Sequence, residues 1–169
     1  MSQWNMTGGT LPWTRSCFVC GQDNPHGLRL RSRIEGDEVI LTHTPREADL
    51  GYRHLVHGGI AMTLLDEVMT WAAILTFQQA AVAAEVTVRL KRPMVAGKPI
   101  RVAGRITGGT SRLLLAGGTI TDEQNTVLVE ATGKYVPMPS GGLHLCVDDF
   151  VESPESVDLP FLGIGVKQT

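Results

Sequence analysis

Aromatic side chains make up only 5 % of this 169-residue chain. That is too few for a platform on which nucleic-acid bases stack. Neither sign of charge is in excess, because 15 basic and 17 acidic groups leave a formal charge of −2. A nucleic-acid partner is therefore not expected. Cysteine is scarce and odd in number, with three residues, which argues against a disulfide framework. The chain opens on a polar stretch, residues 1–9, rather than a basic and apolar leader. Together these features predict a reduced, cytoplasmic protein. No long apolar run is uninterrupted either. The longest, residues 60–77, carries Asp66 and Glu67 near its centre, and a carboxylate pair at mid-bilayer is costly, so no membrane span is expected. Gly-x-Ser-x-Gly, His-Glu-x-x-His and P-loop motifs are missing as well. Gly163-Ile164-Gly165 lacks the third glycine and the following helix of a dinucleotide fingerprint.

What the chain does contain suits one domain, and a chain this long needs neither disulfide nor metal to fold. Residues 1–16 read as a lead-in with Trp4 and Trp13 as anchors. Residues 17–138 carry the periodic pattern, and 139–169 form an acidic, proline-containing extension expected to pack over the body. Charge follows this division: residues 1–140 hold 14 basic and 12 acidic groups, and residues 141–169 hold one and five. In 27–34, Leu28, Leu30, Ser32 and Ile34 alternate with three arginines, which predicts a half-buried strand. Residues 35–37 turn the chain into a second strand over 39–44, and 45–56 reads as an irregular connection. From 58 to 76 the apolar positions Ile60, Leu64, Leu65, Val68, Met69, Ala72, Ala73 and Leu75 recur at three and four, a deeply buried helix. Four strands are expected next, over 82–92, 99–108, 112–121 and 126–136, divided by turn signals. One apolar helix and an antiparallel sheet satisfy each other if the sheet curls around the helix, which defines an α+β class.

The chemistry concentrates in His57-Gly58-Gly59 and Leu65-Asp66-Glu67. Two glycines at a helix start leave backbone N–H groups unpaired and unshielded. With the positive end of the helix dipole, they suit an anionic oxygen or a polarised carbonyl. The same glycines could simply let a loop enter the helix tightly. Asp66 lies among apolar neighbours and must be paired, titrate upward or face a cavity; a hydrogen-bonded structural acid is the other reading. Glu67 points about 100° away and is expected to be solvated or at an interface. Gly58 and Asp66 are eight residues apart, about 12 Å along the axis, whereas catalytic contacts need about 3 Å. If both act on one bond, a second copy of the helix must lie antiparallel nearby, with two shared sites per dimer.

The order strand–strand–helix–four strands, with His57-Gly58-Gly59 and an aspartate nine residues after the histidine, resembles the hotdog-fold acyl-CoA thioesterases. The phenylacetate-pathway and small acyl-CoA thioesterase branch is the most similar group. Cys17-Phe18-Val19-Cys20-Gly21 and Asn24-Pro25-His26-Gly27-Leu28 also look like a signature of bacterial members. The resemblance covers about residues 17–138. It implies a hotdog fold, a homodimer or dimer of dimers, and hydrolysis of an acyl-CoA thioester without a cofactor. Gly58 would polarise the carbonyl, and Asp66 of the other subunit would be nucleophile or general base. The pattern departs from the family at the hydroxyl often found on the first strand after the helix. Alanine stands there at position 83, with Thr87 four residues on.

A thiolate leaves readily, so an oxyanion donor and one carboxylate could suffice. His57 is either a second acid/base group or the residue that orders the loop. Gly59, Met62, Leu65 and Met69 are expected to line the acyl site. The phosphates of coenzyme A would meet Thr87, Arg89, Lys91 and Arg92 at the strand end, and Arg53 and His54 in the loop, unless these merely face water. Cys17 and Cys20 could open a zinc site, but zinc takes four ligands and no second cysteine pair exists. A knuckle of two reduced thiols, and no metal, is expected. A hotdog hydratase or dehydratase and a non-catalytic acyl-CoA-binding module stay open as other readings.

Overall fold

A computed structural model describes Trp4 and residues 6–139, 147–151 and 153–164. Twelve elements place the site. They are β1 (Gly8–Thr10), β2 (Trp13–Thr14), β3 (Arg33–Glu35), β4 (Glu38–His43), β5 (Leu50–Tyr52), β6 (Leu55–Val56), α1 (Gly58–Phe77), β7 (Ala81–Leu90), β8 (Ile100–Gly109), β9 (Leu114–Asp122), β10 (Val127–Pro137) and β11 (Phe150–Val151). Seven of the strands form one sheet in the order β1-β3-β4-β8-β9-β10-β7, antiparallel throughout. This is the α+β arrangement expected from the element order, with the sheet wrapped around α1, and the hotdog fold that the resemblance implies.

The helix forms because its apolar positions span a wide stripe. Ala61, Leu64, Leu65, Val68 and Met69 are fully buried, and from Trp71 to Leu75 every side chain is buried. Such a helix has the length and hydropathy of a membrane span; here the sheet supplies its apolar surroundings. Close approach is secured by two glycines on the inner face. A Cβ at Gly104 would stand 2.8 Å from Val68 Cγ2 and 2.9 Å from the Met69 nitrogen, and one at Gly118 2.9 Å from Leu65 Cδ2. Gln78 ends the helix in the left-handed region, its N–H returning to the Ile74 carbonyl.

Two local expectations change. Residues 27–34 alternate in burial as read, but only Arg33–Glu35 joins the sheet. Arg29 has φ +54°, which breaks an extended ladder. Leu28 and Leu30 donate instead to the Phe18 and Val19 carbonyls, at 2.8 Å each. The lead-in, for its part, contributes a strand, since Gly8, Gly9 and Thr10 pair with Glu35, Ile34 and Arg33. The connection before the helix holds a 3₁₀ turn at Glu47–Asp49 and the β5–β6 hairpin. Of the C-terminal extension, Phe150 packs on Trp71 at 6.0 Å between ring centroids, and Leu159 and Leu162 are fully buried.

Candidate active site

The start of α1 is built by the loop ahead of it. His57 is the N-cap: its backbone N–H donates to the Asp49 carbonyl at 2.8 Å, and its Nδ1 accepts the Gly59 N–H at 2.9 Å. The Gly59 donor is therefore occupied within the chain. The Gly58 N–H meets no acceptor among the described residues. A cavity of about 380 Å³ opens in front of it, bounded by Leu55, Ala61, Leu90 and Met94, with Lys91 and Arg92 among its lining residues. A Cβ at Gly58 would stand 3.1 Å from Leu90 Cδ1, so a side chain there would crowd the space. The free donor, the helix dipole and an apolar wall together suit a polarised oxygen on an apolar body.

Asp66 lies two turns along α1, half-buried, on the least covered stripe of the helix, with exposed Met62 and half-buried Thr70. Its Oδ1 accepts the Tyr135 hydroxyl at 3.0 Å and the Thr70 hydroxyl at 3.4 Å. No cation within ion-pair distance neutralises it among the described residues. Tyr135 is fully buried. Burial and the facing Asp66 carboxylate push its pKa upward, so the phenol remains a donor. Its ring fits because Gly133 precedes it on the same face of β10, where a Cβ would come within 2.6 Å of Tyr135 Cε2. Tyr135 is not among the site residues expected from the sequence. A usable signal existed, since a tyrosine at an inward strand position must place its hydroxyl on a partner, and Asp66 was a buried acid seeking a donor.

The other expected residues divide. Gly58, Lys91 and Arg92 come together at the cavity; Asp66 is not among its lining residues. Leu65 and Met69 are fully buried against β9, and Met62 is exposed. Thr87 and Arg89 face away from the helix, for their neighbours Val86 and Val88 are the ones packed on the core. Their cross-strand partners Thr132 and Glu130 line a shallow outer depression with Arg105 and Thr107. Lys91 Nζ pairs with Glu130 at 2.6 Å, and Arg92 donates to the Val127 carbonyl at 2.8 Å. Arg53 and His54 form the exposed tip of the β5–β6 hairpin, with His54 at φ +65°. Ala83 is exposed near the start of β7, across from Tyr135.

Glu67 departs from its expected solvated place. Trp71 Nε1 donates to its Oε1 at 3.1 Å, and Cys17 Sγ lies 4.0 Å from its Oε2. Burial, then the neighbouring Cys17, pushes its carboxyl up to about 7. The two thiols titrate apart, for the Cys20 thiol donating to Cys17 draws Cys17 down to about 6 and Cys20 upward. Cys146 lies outside the described residues.

A sheet wrapped on one helix, with a glycine-led helix start, defines a hotdog domain. The family model described as the thioesterase superfamily matches residues 54–129, from the loop before α1 into β10. The resemblance read from the sequence is thereby borne out: that stretch is similar to the thioesterase superfamily, and the helix–sheet body has the fold of its solved members. Among solved structures, the Escherichia coli PaaI protein from the phenylacetic acid degradation operon is similar at 21% identity and TM-score 0.58, over 62% of this chain and 75% of that one. The thioesterase superfamily protein RHA08564 is 25% identical at TM-score 0.66, over 72% and 60%. Protein smu.793 of Streptococcus mutans UA159, solved bound to acetyl CoA, is 22% identical at TM-score 0.57, over 60% and 82%. No curated protein matches the chain.

Proposed function

We propose that the chain is an acyl-CoA thioesterase that works as a homodimer, or dimer of dimers, with each site shared between two helices. The observation that carries this reading is the separation of complementary groups. The free Gly58 N–H opens on the cavity, whereas Asp66 lies elsewhere, on a helix stripe that this chain leaves partly uncovered. A partner helix running antiparallel would bring its Asp66 to the cavity of the first. The edge strand β7 supports such pairing. It is ten residues long, open on one side, and exposes Val82 and Leu90, which is the kind of edge that takes a further strand. Similarity to a structure that holds acetyl CoA supports an acyl-CoA as substrate.

In this mechanism the thioester carbonyl oxygen accepts from Gly58. The partner's Asp66, steadied by Tyr135 on Oδ1, takes a proton from water through Oδ2. Hydroxide character on that water attacks the carbonyl carbon, and the oxyanion rests on the Gly58 N–H and the helix dipole. Collapse breaks the C–S bond, releasing the carboxylic acid and coenzyme A as its thiolate. His57 Nδ1 is engaged by the cap, which supports its loop-ordering role.

Thiol release from a panel of acyl-CoAs tests the reading. Asp66→Asn, which keeps the shape and loses the base, is expected to lower kcat about 10²–10⁴-fold. Full activity in that variant would remove the carboxylate from the mechanism, and saturable binding without thiol release in the unaltered protein would leave a binding module.

A further inference from the structure

Sulfur and oxygen donors converge at a second place, away from the cavity at Gly58. Cys17, Cys20 and Glu67 bring one ligand atom each within 4.8 Å of one another. The first two come from a tight knuckle. Gly21 donates to the Cys17 carbonyl at 2.9 Å, and a Cβ there would stand 2.2 Å from that same oxygen, so only glycine closes the turn. Within it the Val19 N–H points at Cys17 Sγ at 3.3 Å, and Thr14 Oγ1 lies 3.5 Å from Cys20 Sγ. These are the hydrogen bonds that hold thiolate ligands in place. The third donor comes from α1. No cationic side chain pairs with Glu67 among the described residues, although its carboxylate faces inward. Such a carboxylate is costly unless something neutralises it. Trp71 Nε1 orients its far oxygen, and Oε2 is left toward the thiols. The extension clamps the knuckle from outside, Ser16 donating to the Asp149 carboxylate at 2.9 Å through Oγ.

We propose that Cys17, Cys20 and Glu67 bind a zinc ion that ties the N-terminal knuckle to the central helix, with water in the fourth position. Bonds of about 2.3 Å to sulfur and 2.0–2.2 Å to oxygen set tetrahedral sulfur and oxygen ligands about 3.6 Å apart, a few tenths of an ångström inside the 4.0 Å between Cys17 Sγ and Glu67 Oε2. Two thiolates with a carboxylate suit zinc over the hard cations magnesium and calcium. Binding releases whatever protons the two thiols and the carboxyl still hold and leaves a net charge of −1, with −3 from the donors and +2 from the ion. Counting cysteines alone pointed to two reduced thiols because the third donor of this proposal is a glutamate 50 residues away in sequence.

The test uses the whole chain purified without a metal-chelate step. Elemental analysis is expected to find about one zinc per chain, and chelator-treated protein titrated with cobalt is expected to show a thiolate-to-cobalt charge-transfer band. Glu67→Gln, which keeps the hydrogen bond from Trp71, and Cys20→Ser should each weaken binding by more than tenfold. Trp71→Phe should weaken it by about 10–100-fold, as loss of an outer partner does. Protein that takes up neither zinc nor cobalt from excess free metal overturns the proposal. So does a Glu67→Gln variant that binds as tightly as the unaltered chain.

Discussion

Tyr135 and Asp66 show how one hydrogen bond joins a strand to the carboxylate of a helix. The phenol donates to Oδ1 at 3.0 Å, which in the proposed mechanism leaves Oδ2 for the attacking water. Tyr135→Phe keeps the ring that fills the space above Gly133 and removes only the donor. Hydrogen bonds to charged groups are worth about 1.5–3 kcal/mol, so kcat for thiol release is expected to fall about tenfold or more with KM little changed. Thermal unfolding should move little, because half-buried Asp66 can take a water instead. A second residue-scale device lies before the helix. Asp49 is buried and accepts from Arg46 through its backbone N–H at 2.7 Å and its guanidinium at 2.9 Å, with His43 Nε2 at 3.4 Å. Burial opposes the charge on Asp49, but the Arg46 hydrogen bonds outweigh it and its pKa is lowered. Burial lowers the pKa of His43 as well, against the pull of Asp49. Both groups bind protons more weakly folded than unfolded, so the stability they contribute is complete above the unfolded histidine pKa near 6.5 and is lost as pH falls. His43→Gln should flatten the first part of that loss, read as urea midpoints between pH 8 and pH 5.

At the scale of elements, the sheet packs on α1 through a layer of buried side chains that two glycines interrupt. Gly104 on β8 approaches the helix backbone itself at Met69. Gly104→Ala forces the helix outward and is expected to cost about 1–3 kcal/mol, as overpacking does. Gly108→Ala, where nothing lies within 4 Å of the added carbon, should be close to neutral in the same denaturant titration. The helix start is set by a different means. His57 caps it through Nδ1 and hangs on Asp49 through its own N–H, so the loop, the cap and the free Gly58 donor move as one piece. The sequence showed the glycines and the histidine together but left their division of labour open. Only the folded loop shows that Gly59 is consumed by the cap and that Gly58 is free.

For the whole molecule, the arrangement of one helix inside one sheet leaves β7 as an edge that no strand pairs with among the described residues. A strand of ten residues with exposed Val82 and Leu90 predicts association through that edge. Light scattering is expected to give a dimer or a dimer of dimers. Replacing Val82 and Ala84 with lysine should yield monomers whose thiol release falls with the loss of the partner's Asp66. An active monomer would contradict the shared site.

The helix, the four strands after it and the places of Gly58 and Asp66 along that helix were legible in the chain, because local periodicity marks the elements and spacing along a helix is fixed by its rise. Residues 27–34 misled because alternation reports which side chains are buried and says nothing about what the backbone pairs with. Tyr135 reaching Asp66, and Glu67 turned toward Cys17 and Cys20, were decided by tertiary structure alone. Those partners lie 69 and 50 residues apart. No local rule measures the distance between side chains that only a wrapped sheet and an N-terminal knuckle bring together.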